Sequence, residues 1–152
     1  VTTLVLASTS PARLILLRSG GIEPLTIPPG VDEDAVAQRA NEMGLISSVE
    51  DMVHILAKAK AEAVAALPEA AGALVIGCDS ALEFAGEALG KPHEPQVAID
   101  RWKRMRGQNG TLHTGHWLID NRVPVAGELS PATGVVRSSK VHFADLSDAE
   151  IE

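Results

Sequence analysis

The chain opens on Thr3–Ala7, a short apolar run with the pattern of a buried strand. It meets Ser8-Thr9-Ser10-Pro11, after which Leu14, Ile15, Leu17 and Arg18 recur at helical spacing up to Gly20-Gly21. Ser10 at the N-cap with Pro11 behind it predicts a helix start, and the glycines predict its stop. Leu25–Ile27 reads as a second strand before Pro28-Pro29-Gly30. The run Asp32-Glu33-Asp34 reads as a solvated acidic loop. The clearest helix is Ser47–Leu67: Ser47 with Glu50 spells a capping box, and Pro68 closes it. Its apolar stripe is Val49, Met52, Val53, Leu56, Ala63, Val64 and Leu67.

Ala73–Cys78 predicts a buried strand ending at Asp79. Leu82–Phe84 and Ala88-Leu89, either side of Gly86-Glu87, predict a hairpin or bend. Glu94–Arg106 is helical in pattern and ends at Gly107. Thr111–Ile119, Val123–Ala126 and Val135–Phe143 read as strands, with Asp120-Asn121 as a turn. Ser147-Asp148-Ala149-Glu150 is a second capping box, with two residues after it. That pattern has two readings, a frayed tail or a fragment of a longer chain.

The 152 residues suit one domain with an ordinary core. Hydrophobic residues make up 45% and charged residues 22%, which excludes global disorder. Thirteen basic and 20 acidic side chains give a net charge of −7, which opposes binding to a nucleic-acid polymer. Two Phe, two Trp and no Tyr leave little for base stacking along a strand. No apolar run approaches the ~20 residues that span a bilayer, so no membrane partner is expected. One cysteine excludes an intrachain disulfide framework and a Cys-rich zinc module, and the expected location is cytoplasmic.

Chemistry concentrates at a few positions. The junction Ser8-Thr9-Ser10-Pro11-Ala12-Arg13 offers free helix amides, two hydroxyls and a guanidinium. It serves as simple capping or as a phosphate cradle, and it is not a Walker loop. Lys60 falls about 20° from Val49 at 100° per residue, near the centre of the apolar stripe. A lysine there must snorkel, pair with a carboxylate or meet an anion. Lys58 falls on the opposite face. Asp79, after Leu74-Val75-Ile76-Gly77-Cys78, stands where strand ends present polar groups in α/β sheets. It is a turn aspartate, a proton acceptor or a metal ligand. Lys91 sits in the rigid turn Gly90-Lys91-Pro92. His113 and His116 are three apart in a strand and so face opposite sides, which argues against a shared zinc. Cys78 reads as a core thiol. Carboxylates, lysines and one arginine around strand ends favour metal-assisted chemistry on a phosphate ester or anhydride.

These residues also form a pattern. Leu6-Ala7-Ser8-Thr9-Ser10-Pro11 with Arg13 and Leu16-Leu17 resembles the opening of the Maf nucleotide pyrophosphatases. Asp32-Glu33, Leu56-Ala57-Lys58-Ala59-Lys60-Ala61 and Val75-Ile76-Gly77-Cys78-Asp79-Ser80 match its next motifs in order. Gly86-Glu87, Leu89-Gly90-Lys91-Pro92, Thr114-Gly115, Val141-His142-Phe143 and Leu146–Ile151 match the later ones. The resemblance implies an elongated α/β fold with a mixed, twisted sheet flanked by helices, two lobes with a cleft between them, and a homodimer. It implies hydrolysis of a nucleoside triphosphate to monophosphate and pyrophosphate with Mg or Mn. Asp79 would be the general base, Lys60, Lys91 and Arg13 the basic groups on phosphate, and Glu33 the further acid. Asp79 and Glu33 would hold the metal, Ser8 and Ser10 would hold phosphate oxygens, and Ala12 and Ser80 would occupy specificity positions. Two departures stand out. Ala12 replaces the Arg or Trp of known subtypes, and Gly110 replaces the first His of the motif ending in Thr114-Gly115. The family pattern also continues beyond Glu152, so residues 1–152 are expected to be one domain lacking its C-terminal part. The alternative function is a nucleotide-binding regulator of septum formation without turnover.

Overall fold

The computed structural model describes residues 1–123 and 127–152. The strand expected at 123–126 lies outside the described residues, apart from Val123 in a bend. The framework is a six-stranded mixed sheet flanked by helices, in keeping with the expected class. Its main path runs β2 (Leu25–Thr26), β1 (Leu4–Ala7), β3 (Leu74–Phe84), β5 (Asn109–Asp120) and β6 (Ala132–His142). β4 (Glu87–Leu89) returns antiparallel on the far part of β3, through a turn with Ala85 and Gly86 both at positive φ. β1 is parallel to β2 and β3, whereas β3–β5 and β5–β6 are antiparallel. None of the described helices is long and apolar enough to cross a membrane.

One long helix organises one face of the sheet. This is α3 (Val49–Ala65), following α1 (Pro11–Ser19) and α2 (Glu33–Glu42). Its buried positions are Val53, Leu56, Ala57, Lys60, Ala61 and Val64. The apolar stripe was therefore legible, although Ala63 is half-buried and Leu67 is exposed. Small residues let the helix lie close. A Cβ on Gly77 would fall on the Ala57 carbonyl and 2.6 Å from Ala61 N; on Gly115 it would fall on the Val53 carbonyl and 2.9 Å from His54 N. Val5, Ala7, Ala61, Val64, Ala70, Ala73, Val75 and Ile119 close the core around this contact.

Three expectations need correction. The acidic run is no loop: Asp32 Oδ1 accepts from Ala35 N at 3.0 Å and caps α2, with Glu33 and Asp34 in the first turn, where acids offset the helix dipole. The cap of α3 is Ser48, whose Oγ accepts from Asp51 N at 3.1 Å, one residue later than the expected Ser47–Glu50 box. Ser47 instead binds the Asp51 carboxylate through its N–H (3.0 Å) and hydroxyl (2.7 Å). β3 does not stop at Asp79 but runs on to Phe84, because β5 pairs with it continuously from Leu74 to Glu83. The last capping box does open a short helix, α5 (Asp148–Ile151), tied to the end of α4 (Pro95–Met105) by Arg106–Asp148 and Lys103–Glu152 ion pairs.

Backbone contact at Gly77 and Gly115 makes a specific demand. Gly77→Ala and Gly115→Ala should each destabilise the fold by about 1–3 kcal/mol or more, the usual cost of overpacking. Urea unfolding measures this. Gly86→Ala, with no atom near the added methyl but φ at +80°, should lose less.

Candidate functional site

β1 stops at Ala7, opposite Gly77, while β3 continues. From Cys78 to Ala81, before β4 pairs with Leu82–Phe84, β3 therefore lacks a neighbour on that side, and the chain leaving β1 passes through Ser8–Ser10 into α1. Asp79, two residues beyond the fork, is 8% exposed and lies opposite Gly115. Because strand side chains alternate, Asp79 faces α3 with Gly77, and Ser80 faces the other side.

Lys60 reaches Asp79 from α3. The residue is also 8% exposed, and its ammonium donates to Asp79 Oδ1 at 2.7 Å and makes an ion pair with Glu33 at the start of α2. The lysine in the apolar stripe is thus a paired, buried cation rather than a snorkelling one. Burial raises the Asp79 carboxyl above its ordinary range; the Lys60 hydrogen bond and charge oppose that, and Glu33 adds to it. The Glu33 side chain is half exposed, so it closes the cluster from its solvent side.

The second group is built on α1. Ser8, 7% exposed, accepts from Ser10 N at 3.1 Å and from Arg13 Nη1 at 3.0 Å. Arg13 Nη2 also donates to Ser80 Oγ at 3.3 Å, and Ser80 Oγ lies 2.9 Å from Thr114 Oγ1. Among the described residues Arg13 has no carboxylate within ion-pair distance, so hydroxyls hold it, and its charge acts on Asp79 only from farther off. Ser10 stands at the N-cap but forms no side-chain cap. The helix-opening amides are consequently left to another acceptor. Ala12 is exposed in the first turn of α1. Lys91, exposed after β4, makes no hydrogen bond or ion pair among the described residues and is not joined to either group.

Two carboxylates converging on one ammonium, with hard oxygen donors to spare, suit a divalent cation of the Mg or Mn kind. Asp79 and Glu33 thus fit the metal role chemically. A separate cluster of Glu50, Glu83 and His113 has ligand atoms all within 4.8 Å of one another. Its buried imidazole is already engaged, with Nε2 2.7 Å from Glu83 and Nδ1 2.6 Å from Ser138 Oγ. This network and the Ser80–Thr114 contact escaped sequence reasoning, since both depend on strand register. Cys78 is buried, and burial pushes its thiol pKa up, which leaves it a poor nucleophile.

A family model for Maf-like proteins matches residues 3–152. A Leifsonia xyli protein named nucleoside triphosphate pyrophosphatase is 50% identical over 98% of this chain and 69% of its own length. A Streptomyces coelicolor protein of the same name is 49% identical over 97% of this chain and 65% of its own. The chain thus spans about two thirds of the length of these relatives. Among solved structures it is similar to the Staphylococcus aureus Ham1 protein, with a TM-score of 0.52 and 14% identity, covering 95% of this chain and 73% of that one. That likeness concerns the fold alone. The sequence relationship extends over nearly every described element and includes both groups at the fork, and the chain belongs to the Maf-like family.

Proposed function

We propose that the protein is a nucleoside triphosphate pyrophosphatase, cleaving its substrate to the monophosphate and pyrophosphate. The observation that carries this reading is the buried Asp79 carboxylate, held by Lys60 beside an α1 N-terminus whose Arg13 has no ion-paired carboxylate among the described residues. The names of the relatives support the same reaction. Septum-regulating binding without turnover is not favoured, because an anion site alone has little need of a buried carboxylate.

In this reading the Ser8 and Ser10 hydroxyls, the first free amides of α1 and the Arg13 guanidinium receive phosphate oxygens. Asp79 accepts the proton of the attacking water as the water oxygen bonds to the α-phosphorus and the bond to pyrophosphate breaks. Lys60 keeps that carboxyl ionised and fixes its direction. Asp79 and Glu33 would hold a divalent cation, which when bound would supply charge neutralisation for the polyphosphate. Lys91, exposed and with no hydrogen bond or ion pair among the described residues, is assigned to the leaving pyrophosphate. Ala12 and Ser80 border the nucleoside end, where a small residue at 12 leaves space for the base. The expected setting is the reducing cytoplasm.

Asp79→Asn should abolish turnover while preserving most nucleotide binding, because the amide keeps the volume but takes no proton. A loss of about 10²–10⁴-fold is expected in a pyrophosphate-release assay run with Mg or Mn on a panel of triphosphates. Near-normal turnover in this variant would remove Asp79 from the role.

The pH profile supplies a second check. A carboxyl whose pKa is raised by burial loses its base form as pH falls through that elevated value. In the metal-free protein the carboxyl should therefore titrate above the ordinary aspartate range, as read from its side-chain carbon by NMR. In Lys60→Met that titration should move to still higher pH, because the group that favours ionisation is gone. A titration that stays put would show that Lys60 does not tune the carboxyl.

A further inference from the structure

We infer that Thr114 is a positioning residue for the Arg13 guanidinium, acting through the Ser80 hydroxyl. The inference rests on the proposed reaction and extends it to a residue on β5 that need not touch the substrate.

A guanidinium can only donate, so the Ser80 oxygen must accept from Arg13 Nη2 at 3.3 Å. That leaves the hydroxyl hydrogen and one lone pair for Thr114 Oγ1, 2.9 Å away. Ser80 and Thr114 are direct cross-strand partners on one sheet face, so their contact is set by register. Ser80 is exposed, and without Thr114 its hydroxyl would be free to exchange among rotamers and to turn toward water. Threonine, branched at Cβ, brings a stiffer χ1 than serine has.

The support beneath Thr114 is rigid as well. The next residue, Gly115, lies against the Val53 carbonyl of α3, with no room for a side chain. A line of contacts therefore runs from α3 through Gly115 and Thr114 to Ser80 and the guanidinium. Ser8 Oγ holds the other terminal nitrogen at 3.0 Å, and two anchors fix the plane of the guanidinium fork. Arg13 spends two donors on these hydroxyls and none on a carboxylate among the described residues, which leaves three N–H groups for an anion. Orientation matters here because bidentate recognition of phosphate requires the plane as well as the charge.

The test compares Thr114→Val, Thr114→Ser, Ser80→Ala and the Ser80→Ala/Thr114→Val double variant in steady-state turnover of the preferred triphosphate. Thr114→Val should raise KM about 3- to 10-fold, the scale of one lost neutral hydrogen bond, with kcat changed less than about twofold. Thr114→Ser should restore KM to within about twofold of the parent, since it keeps the hydroxyl. The double variant should be no worse than Ser80→Ala, because both changes break one line of contacts. An unchanged KM in Thr114→Val, a serine variant as impaired as the valine, or additive effects in the double would each overturn the inference. If the parent protein turns over no triphosphate, the reaction reading fails by itself. Calorimetric titration with inorganic triphosphate then decides the positioning role, with Thr114→Val expected to bind about 3- to 10-fold more weakly and equal binding refuting it.

Discussion

A lysine ammonium buried between a helix and a sheet is tolerable only when its charge is answered at hydrogen-bond distance. Lys60 meets that condition through Asp79 and Glu33, and much of the architecture serves the encounter. Removing one member of a buried pair generally costs about 3–5 kcal/mol, because the survivor stays desolvated and alone. The helix must therefore lie at a fixed depth and register on β3. The Ala57–Gly77 and Val53–Gly115 contacts provide both, since neither admits a methyl group between backbone and backbone. Close packing and charge pairing are one constraint here.

The position of the pair on the sheet follows from strand lengths. β1 is four residues long and β3 eleven, so the parallel part ends while the antiparallel part continues. The fork leaves Asp79 unflanked by β1 and places the opening of α1 beside it. On one side of β3 stands the Lys60–Asp79–Glu33 cluster. On the other, Ser80 receives Arg13, whose charge is left for a ligand. A nucleotide polyphosphate placed at the fork would find fixed cations and amides around its anionic oxygens and a single carboxylate for proton transfer. This matches electrostatic preorganisation, in which charges are set before the reaction begins.

Lys60 was legible in sequence because a charge in an apolar helical stripe violates the period that defines the stripe. Asp79 was legible as a carboxylate after a buried run, although the run continues. Its strand proved longer because the β5 pairing that sustains it is non-local. The acidic segment opening α2 was misread because three consecutive acids look solvated until the cap of Asp32 and the pairing of Glu33 with Lys60 are seen. The one-residue shift of the α3 cap reflects two adjacent serines, either of which can cap; Asp51 binds the first and leaves the second to do so. Ser8, Ser10 and Arg13 were recognised as a group, but the contact through Ser80 to Thr114 spans three elements and only register reveals it. Lys91 was identified by motif alone, and no contact among the described residues draws it to the fork.

The central claim is that Lys60 and Asp79 are energetically one unit. A double-mutant cycle on unfolding free energy, using Lys60→Met, Asp79→Ala and the combination, tests it most directly. Each single change should destabilise the protein, and the double should lose less than the sum, with a coupling of roughly 1–3 kcal/mol for groups in direct contact. Losses that simply add, within about 0.5 kcal/mol, would show two independent side chains and contradict the account.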